Sequence, residues 1–426
     1  MNESAAQRRT SPVFYGWTIV AIGGLFLFFS GPGQTYSNAL FIESYIEDLG
    51  WSRNLVSGIY SAATLCAGFL LYFIGSLIDR FGHRKMAVAI ITLFAGALVW
   101  NSFITHPVML FIGFFFIRLL GQGSMSLLGN TLIPQWFISK KGRAFSLMAI
   151  GAFISSALFP VINVQLIDMV GWRGAWLVLG IGTAVIMIPV VLKFLVNKPE
   201  DIGLLPDNAA VEPVEAEADG KDTVFTEISW TLKEAMRTYQ FWLLLICVSI
   251  PALINTGLTF HIVSIFSSKG LTAGEAAALL SIMAVVGFPV TLAIGFILEK
   301  VQIRLVLAAI FVGQLLYLLV LQEVSTFTAA IWFAVLWGVI GGIERVTLAV
   351  VFPEYFGRRH IGSIKGFVTG VMVFGSALGP LPFALAYDMF GDYTEAVWLA
   401  MIIPAIGAAA AFLSTQPTKR ESRLLR

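Results

Sequence analysis

Apolar stretches of about twenty residues recur along the whole chain, each closed by a short charged or Gly/Pro-rich break. Each is long enough to cross a ~30 Å hydrocarbon core as a helix, the one single-segment form that satisfies its own backbone in lipid. The breaks define twelve candidate spans, near 14–36, 54–77, 86–104, 108–131, 143–167, 173–196, 240–265, 276–297, 303–321, 326–351, 361–388 and 393–414. Between the sixth and seventh, Asn197 to Tyr239 is polar, and acidic from Glu200 to Glu234. Its Ala/Glu/Pro/Asp centre, Asn208 to Asp222, has the composition of a disordered linker that tethers two halves. The expected organisation is an N-terminal six-helix bundle over 1–196, a cytoplasmic and partly disordered linker over 197–239, and a C-terminal six-helix bundle over 240–426.

Comparing the halves at a fixed offset of 220 residues exposes an internal repeat. Gly75-Ser-Leu-Ile-Asp79-Arg80 falls on Gly295-Phe-Ile-Leu-Glu299-Lys300, and Asp168-Met-Val-Gly171 on Asp388-Met-Phe-Gly391. Pro160 falls on Pro380, Gly50 on Gly270 and Gly142 on Gly362, while Pro134-Gln-Trp-Phe137 matches Pro353-Glu-Tyr-Phe356 with one residue of slippage. The fold class is thus an all-α membrane protein of two six-helix bundles related by a parallel repeat. A cavity at membrane depth is expected where the bundles meet. Helix starts are legible too: Ser52 precedes the second span, and Thr272-Ala-Gly-Glu275 makes a capping box ahead of the eighth.

Composition excludes a water-soluble enzyme: 58% of the 426 residues are hydrophobic, 12% are charged, and the mean hydropathy is +0.85. A net charge of +2 gives no reason to expect nucleic acid as a partner. Cys66 and Cys247 lie inside apolar runs without metal-binding spacing, so neither a disulfide nor a zinc site is expected. Arg53, Arg173 and Lys269 fall on one side of the membrane and Arg118 and Arg345 inside spans. Every other one of the 27 lysines and arginines falls on the side that holds both termini, which places the N- and C-termini in the cytoplasm and the chain in the inner, or plasma, membrane. The polar segment Met1 to Pro12 shows no cleavage site, so the first apolar run reads as a span.

The loop Gly75-Ser-Leu-Ile-Asp79-Arg80-Phe-Gly82-His-Arg84-Lys85 resembles the G-x-L-a-D-r-x-G-r-k signature of the major facilitator superfamily, and Arg118-Leu-Leu-Gly121-Gln-Gly123 is similar to that family's R-x-x-q-G-x-g motif. Three further features resemble the bacterial monocarboxylate and oxalate/formate branch: Tyr15-Gly16-Trp17, Trp136-Phe-Ile-Ser-Lys140-Lys141-Gly142-Arg143-Ala144, and Lys198-Pro199-Glu200-Asp201-Ile-Gly203-Leu-Leu-Pro206-Asp207. The resemblance covers nearly the whole chain and implies alternating access of two halves around a central site. In that branch an arginine in a Gly-Arg pair of the eighth span is the usual carboxylate contact, whereas this chain has Gly287-Phe288. Arg345 is the candidate to replace it.

A charge at the centre of a span costs roughly 2.5–3.5 kcal/mol on insertion scales, so Arg118, Glu344 and Arg345 each need a reason to be there. Glu344 and Arg345 are consecutive, about 100° apart on a helix, and can border one cavity. Gly338, Gly341 and Gly342 let their helix pack closely or bend beside it. Arg345 is assigned to substrate together with Phe288, Tyr36, Asn38 and Asn255; Glu344 and Arg118 are assigned to coupling, Glu344 as the proton site, with a structural Glu344–Arg345 ion pair as the competing role. Gln34, Asn130, Asn163, Gln165 and His261 are further polar groups within spans. Asp79, Arg80, Glu299 and Lys300 sit at repeated helix ends and are assigned to gating, with an acid there capping a helix N-terminus and pairing with a base such as Arg143.

No P-loop and no hydrolytic constellation appears, so a gradient must supply the energy, and no cofactor or metal is expected. The expected function is a secondary transporter, acting as a monomer, that moves a small organic anion of the monocarboxylate kind with protons. One alternative keeps the fold and changes the substrate to a neutral or aromatic compound, vitamin or drug-like, beside Phe288. A second makes the chain a sensor or scaffold acting through its acidic linker.

Overall fold

The computed structural model describes residues 14–208 and 229–417, so most of the linker centre lies outside the described residues. The spans are α1 (Gly16–Phe41), α2 (Arg53–Phe81), α3 (His83–Asn101), α4 (Pro107–Trp136), α5 and α6 (the two arms of Lys141–Phe194), α7 (Tyr239–Ser268), α8 (Ala273–Ile297), α9 (Ile303–Gln322), α10 (Phe327–Phe356), α11 (Ile361–Leu378, continued by Pro380–Phe390) and α12 (Thr394–Leu413). They form the expected two six-helix bundles. Their apolar side chains have two destinations. Phe26, Phe94, Phe311 and Phe333 fill the bundle interiors, while Phe69, Leu93, Val185, Trp332 and Phe412 face outward, where hydrocarbon is their solvent.

The repeat is written into the backbone. Gly50 and Gly270 take positive φ of 67° and 84°, and Gly171 and Gly391 of 72° and 75°, so each copy turns on a glycine at the same two places. At Gly171 (ψ 166°) the turn is a corner within one run of helix, which joins α5 to α6 without the loop expected there. The helix starts follow the sequence: Ser52 accepts from the Leu55 N–H at 3.2 Å, and Thr272 and Glu275 close their capping box.

The halves meet at two repeat-related crossings. α2 crosses α11 at Gly75 and Gly362, where a Cβ on Gly362 would lie 2.5 Å from the Gly75 carbonyl oxygen. α5 crosses α8 at Gly142 and Gly295, where a Cβ on Gly295 would lie 2.6 Å from the Gly142 oxygen. Glycine at all four positions lets backbones touch, the packing that lipid-embedded helices use in place of a hydrophobic drive. Both crossings lie at the end of the molecule that carries Arg80, Arg84, Lys140, Lys300 and Arg358, hereafter the basic end.

Two departures from regular helix go beyond the sequence expectation. α1 breaks at Gly31–Gly33, a 3₁₀ turn on Gly-Pro-Gly, and α4 widens into a π-helix over Ile117–Met125. Both freed segments lie against each other, since a Cβ on Gly33 would lie 2.6 Å from the Ile117 carbonyl oxygen. Irregular backbone is tolerated at this depth only where protein or a cavity supplies partners.

Candidate functional site

A cavity of about 620 Å³ lies between the halves. Gln34 and Tyr36 of α1, Phe153 of α5, Asn255 of α7, and Trp337, Glu344 and Arg345 of α10 line it. Arg345 is exposed to this space. Its guanidinium lies 4.5 Å from the centroid of Phe153, and Phe153 in turn meets Phe288 edge-on at 4.9 Å. Phe288 therefore backs the wall instead of lining it. Among the described residues no ion pair joins Arg345 to Glu344 or to any other carboxylate. The consecutive pair diverges as the helical turn angle requires, and Arg345 is left with its donors free for an incoming acceptor.

Glu344 is held by amides. Asn255 Nδ2 donates to its two carboxylate oxygens at 3.1 and 3.3 Å, and Gln314 Nε2 donates to Oε2 at 3.3 Å. The orientation of Asn255 is set from behind, because Trp337 Nε1 and Tyr317 OH both donate to its Oδ1, at 2.9 and 3.4 Å. That fixes the NH₂ toward Glu344. Gln314 Oε1 is buried with no hydrogen-bond partner. Gln314, Tyr317 and Trp337 were not among the sequence candidates; a Gln and a Tyr one turn apart in an otherwise apolar ninth span were the available signal.

The other residues assigned to the site take different places. Tyr36 donates to Ser155 Oγ at 2.8 Å, since the Ser155 hydrogen is committed to the Phe28 carbonyl. Asn38 is 1% exposed and does not line the cavity. It donates to the carbonyls of Pro32 and Gln34 at 3.3 and 2.8 Å, repairing the backbone that the Gly31–Gly33 break sets free. Arg118 is also buried in the N-terminal wall. Its Nε donates to Thr64 at 3.0 Å, its Nη1 donates to the Gly33 carbonyl and Thr35 at 3.1 and 3.3 Å, and it lies 5.0 Å from the Tyr60 ring. It thus ties the α1 break to α2 and α4. Asn163 donates to Ser37, and His261 contacts Pro380 and Tyr393; both pack within their own halves.

Hydrogen bonds and ion pairs that join the halves gather at the basic end. Asp79 accepts from the Gly362 and Ser363 N–H groups at 2.8 and 2.7 Å, capping the start of α11 across the interface. The expected Asp79–Arg143 pairing does not form. Arg143 pairs instead with Glu299, Nε to Oε1 at 2.7 Å, because the α5–α8 crossing brings the second copy of the acid to it. Lys141 pairs with Glu354 at 2.6 Å. Arg80 packs on the neighbouring Phe81 ring at 5.2 Å, and Lys300 is exposed beside Glu299. The described flanks of the linker dock here as well: Asp207 accepts from the N–H groups of Ile138 and Ser139, Glu200 pairs with Arg358 at 2.7 Å, and the Trp230 N–H donates to the Phe356 carbonyl. Lys365, near the start of the eleventh span and counted with the basic residues of the cytoplasmic side, is 6% exposed at this end. Removing the Asp79 cap should cost about 1–2 kcal/mol of the closed form. In Asp79→Ala, a cysteine at buried Val368, on a background with Cys66 and Cys247 replaced by serine, should therefore react with a soluble maleimide about 5–30 times faster. An unchanged rate would mean the cap does not hold the halves.

Comparison with known proteins places this geometry in context. The Major Facilitator Superfamily profile matches residues 20–380. The glucose transporter GlcP of Staphylococcus epidermidis is 25% identical over 431 residues, covering 92% of this chain and 90% of its own. Monocarboxylate transporter 12-B of Danio rerio is 22% identical over 402 residues, covering 91% and 84%. Among solved structures, the Escherichia coli fucose:proton symporter FucP superposes with a TM-score of 0.69 at 14% identity, over 95% of this chain and all of that one. The human organic anion transporter MFSD10 has a TM-score of 0.69 at 10% identity, over 93% and 99%.

Proposed function

We propose, from the premise that this chain belongs to the Major Facilitator Superfamily and is a multi-pass membrane transporter rather than an enzyme, that it carries a small organic anion together with protons. The observation that carries the reading is Arg345: a cation with no carboxylate partner among the described residues, open to the cavity between the halves. A guanidinium resting on Phe153 presents its remaining edge to a planar carboxylate, which it can bind through two parallel hydrogen bonds. Glu344 is the proton site beside it. In the carboxylate form it accepts from Asn255 and Gln314, and a flip of the Gln314 amide turns the unpartnered Oε1 into an acceptor for the protonated form. Both protonation states then have partners at membrane depth. Arg118 supports coupling indirectly by holding the broken α1 against α4.

In the proposed cycle, residues 1–196 and 240–426 rock about the cavity with 197–239 as their connection. Asp79 and the Arg143–Glu299 pair latch the basic end, with Arg80 and Lys300 at its rim. The distribution of basic residues supports a cytoplasmic basic end and an inner-membrane location, and a cavity completed by one chain supports a monomer. Monocarboxylate transport by one relative fits the anion reading. The aromatic wall of Phe153 and Phe288, with glucose as the cargo of another relative, supports the neutral-substrate alternative. A thermal-shift panel on the detergent-purified protein separates them. Small carboxylates, and not neutral aromatics or hexoses, should stabilise it, by about 2.7 kcal/mol at 100 times the Kd. Stabilisation by the neutral compounds alone would overturn the anion reading.

A further inference from the structure

Below the cavity lies a second cation that this mechanism leaves unused. Lys365 of α11 donates from Nζ to the Ala349 carbonyl at 2.5 Å and sits 5.1 Å from the centroid of Phe145. Ala349 is one turn from Arg345 along α10, and Phe145 is two turns from Phe153 along α5. The two cations therefore occupy one seam between α5 and α10, each resting on a phenylalanine of α5. Arg345, the upper one, faces the cavity; Lys365, the lower one, is sealed.

Lys365 has no carboxylate partner among the described residues. The carboxylates on packed helices are engaged elsewhere: Asp79 with Gly362 and Ser363, Glu299 with Arg143, and Glu354 with Lys141. A buried ammonium satisfied only by a carbonyl and a ring is a costly way to fill space. The fold does not demand it, since the repeat-equivalent position, 220 residues earlier, holds Phe145, and the two copies of this one position face each other across the halves.

We infer that Lys365 is a second anion-contact residue, serving the transported organic anion on the cytoplasmic leg of its path. Rocking that parts α5 from α10 and α11 withdraws Phe145 and uncovers the ammonium one step below Arg345. An anion leaving the guanidinium then meets a compensating charge instead of bare apolar wall. The inference rests on the proposed anion function and deepens it.

The test needs no identified substrate. Leu348 lines the cavity floor next to Ala349, so Leu348→Cys, with Cys66 and Cys247 replaced by serine, reports the potential along the path. Its modification by the anionic sulfonatoethyl and the cationic trimethylammonioethyl methanethiosulfonates is compared in inside-out and right-side-out vesicles. From the cytoplasmic side, Lys365→Gln and Lys365→Met should lower the anionic-to-cationic rate ratio about tenfold, and Lys365→Arg should restore it. From outside, the ratio should not respond to Lys365 and should fall in Arg345→Gln. An inner ratio indifferent to Lys365, or no modification from the inside, overturns the inference. An outer ratio indifferent to Arg345 counts instead against the anion reading of the cavity.

Discussion

Gly75→Val is expected to abolish transport while leaving a folded, membrane-inserted protein. Its Cβ would run into the Gly362 carbonyl group across the α2–α11 crossing, a backbone atom that cannot swing aside as a side chain would. Overpacking of this kind costs about 1–3 kcal/mol, and here the penalty falls only on the state in which the basic end is shut. At 3 kcal/mol the closed form loses roughly 150-fold in population relative to the open one. The cysteine at position 368 should become reactive from the basic end about 5- to 150-fold faster, with exchange of any transported compound lost. Gly142→Val, at the repeat-related crossing with Gly295, should do the same. Gly96→Val is the control, because a Cβ there meets nothing within 4 Å. Normal protection of position 368 in Gly75→Val would show that the crossing has more room than its geometry implies.

Arg345→Gln should remove carboxylate binding from the purified protein without lowering its intrinsic stability. A hydrogen bond to a charged group contributes about 1.5–3 kcal/mol, which corresponds to a roughly 10- to 150-fold weaker affinity. The loss should fall mainly on ligand-dependent stabilisation because the one contact of the Arg345 guanidinium among the described residues is the Phe153 ring of α5, and it has no hydrogen bond or ion pair there. Glu344 is different, since the amides of Asn255 and Gln314 both donate to it and its replacement would leave them without their acceptor. Carboxylate titrations of Arg345→Gln by thermal shift check this. Wild-type stabilisation in the variant would move the anion to another cation, and with it the proposed substrate site.

The architecture was readable from the sequence because lipid imposes a simple rule: each crossing must be a long apolar helix, and each break must carry charge or a turn-forming residue. The repeat was readable for the same reason, since glycines and acids at helix ends are fixed by backbone geometry and not by packing detail. Partner choice was not. That Asp79 reaches the α11 N-terminus while Arg143 takes Glu299 depends on how two helix pairs cross, and no local pattern encodes it. Asn38 was assigned to substrate as a polar residue of the first span, whereas its amide turns onto the Pro32 and Gln34 carbonyls beside the Gly31–Gly33 break, which no local pattern announces. Lys365 was counted with the cytoplasmic basic residues because it stands at the start of its span; its burial comes from Phe145 and Ala349, which belong to other spans. The cradle around Glu344 draws on three helices, which isolated polar residues in apolar spans do not announce.

The two repeat-related contacts at the basic end are made of different materials. Where the first copy sets a carboxylate on backbone N–H groups, the second sets one on a guanidinium whose side chain is 35% exposed. Dissolved ions weaken the second kind of contact and barely touch the first. A rise in salt is therefore expected to weaken the α5–α8 side more than the α2–α11 side, so that the two repeat-related contacts respond unequally to ionic strength.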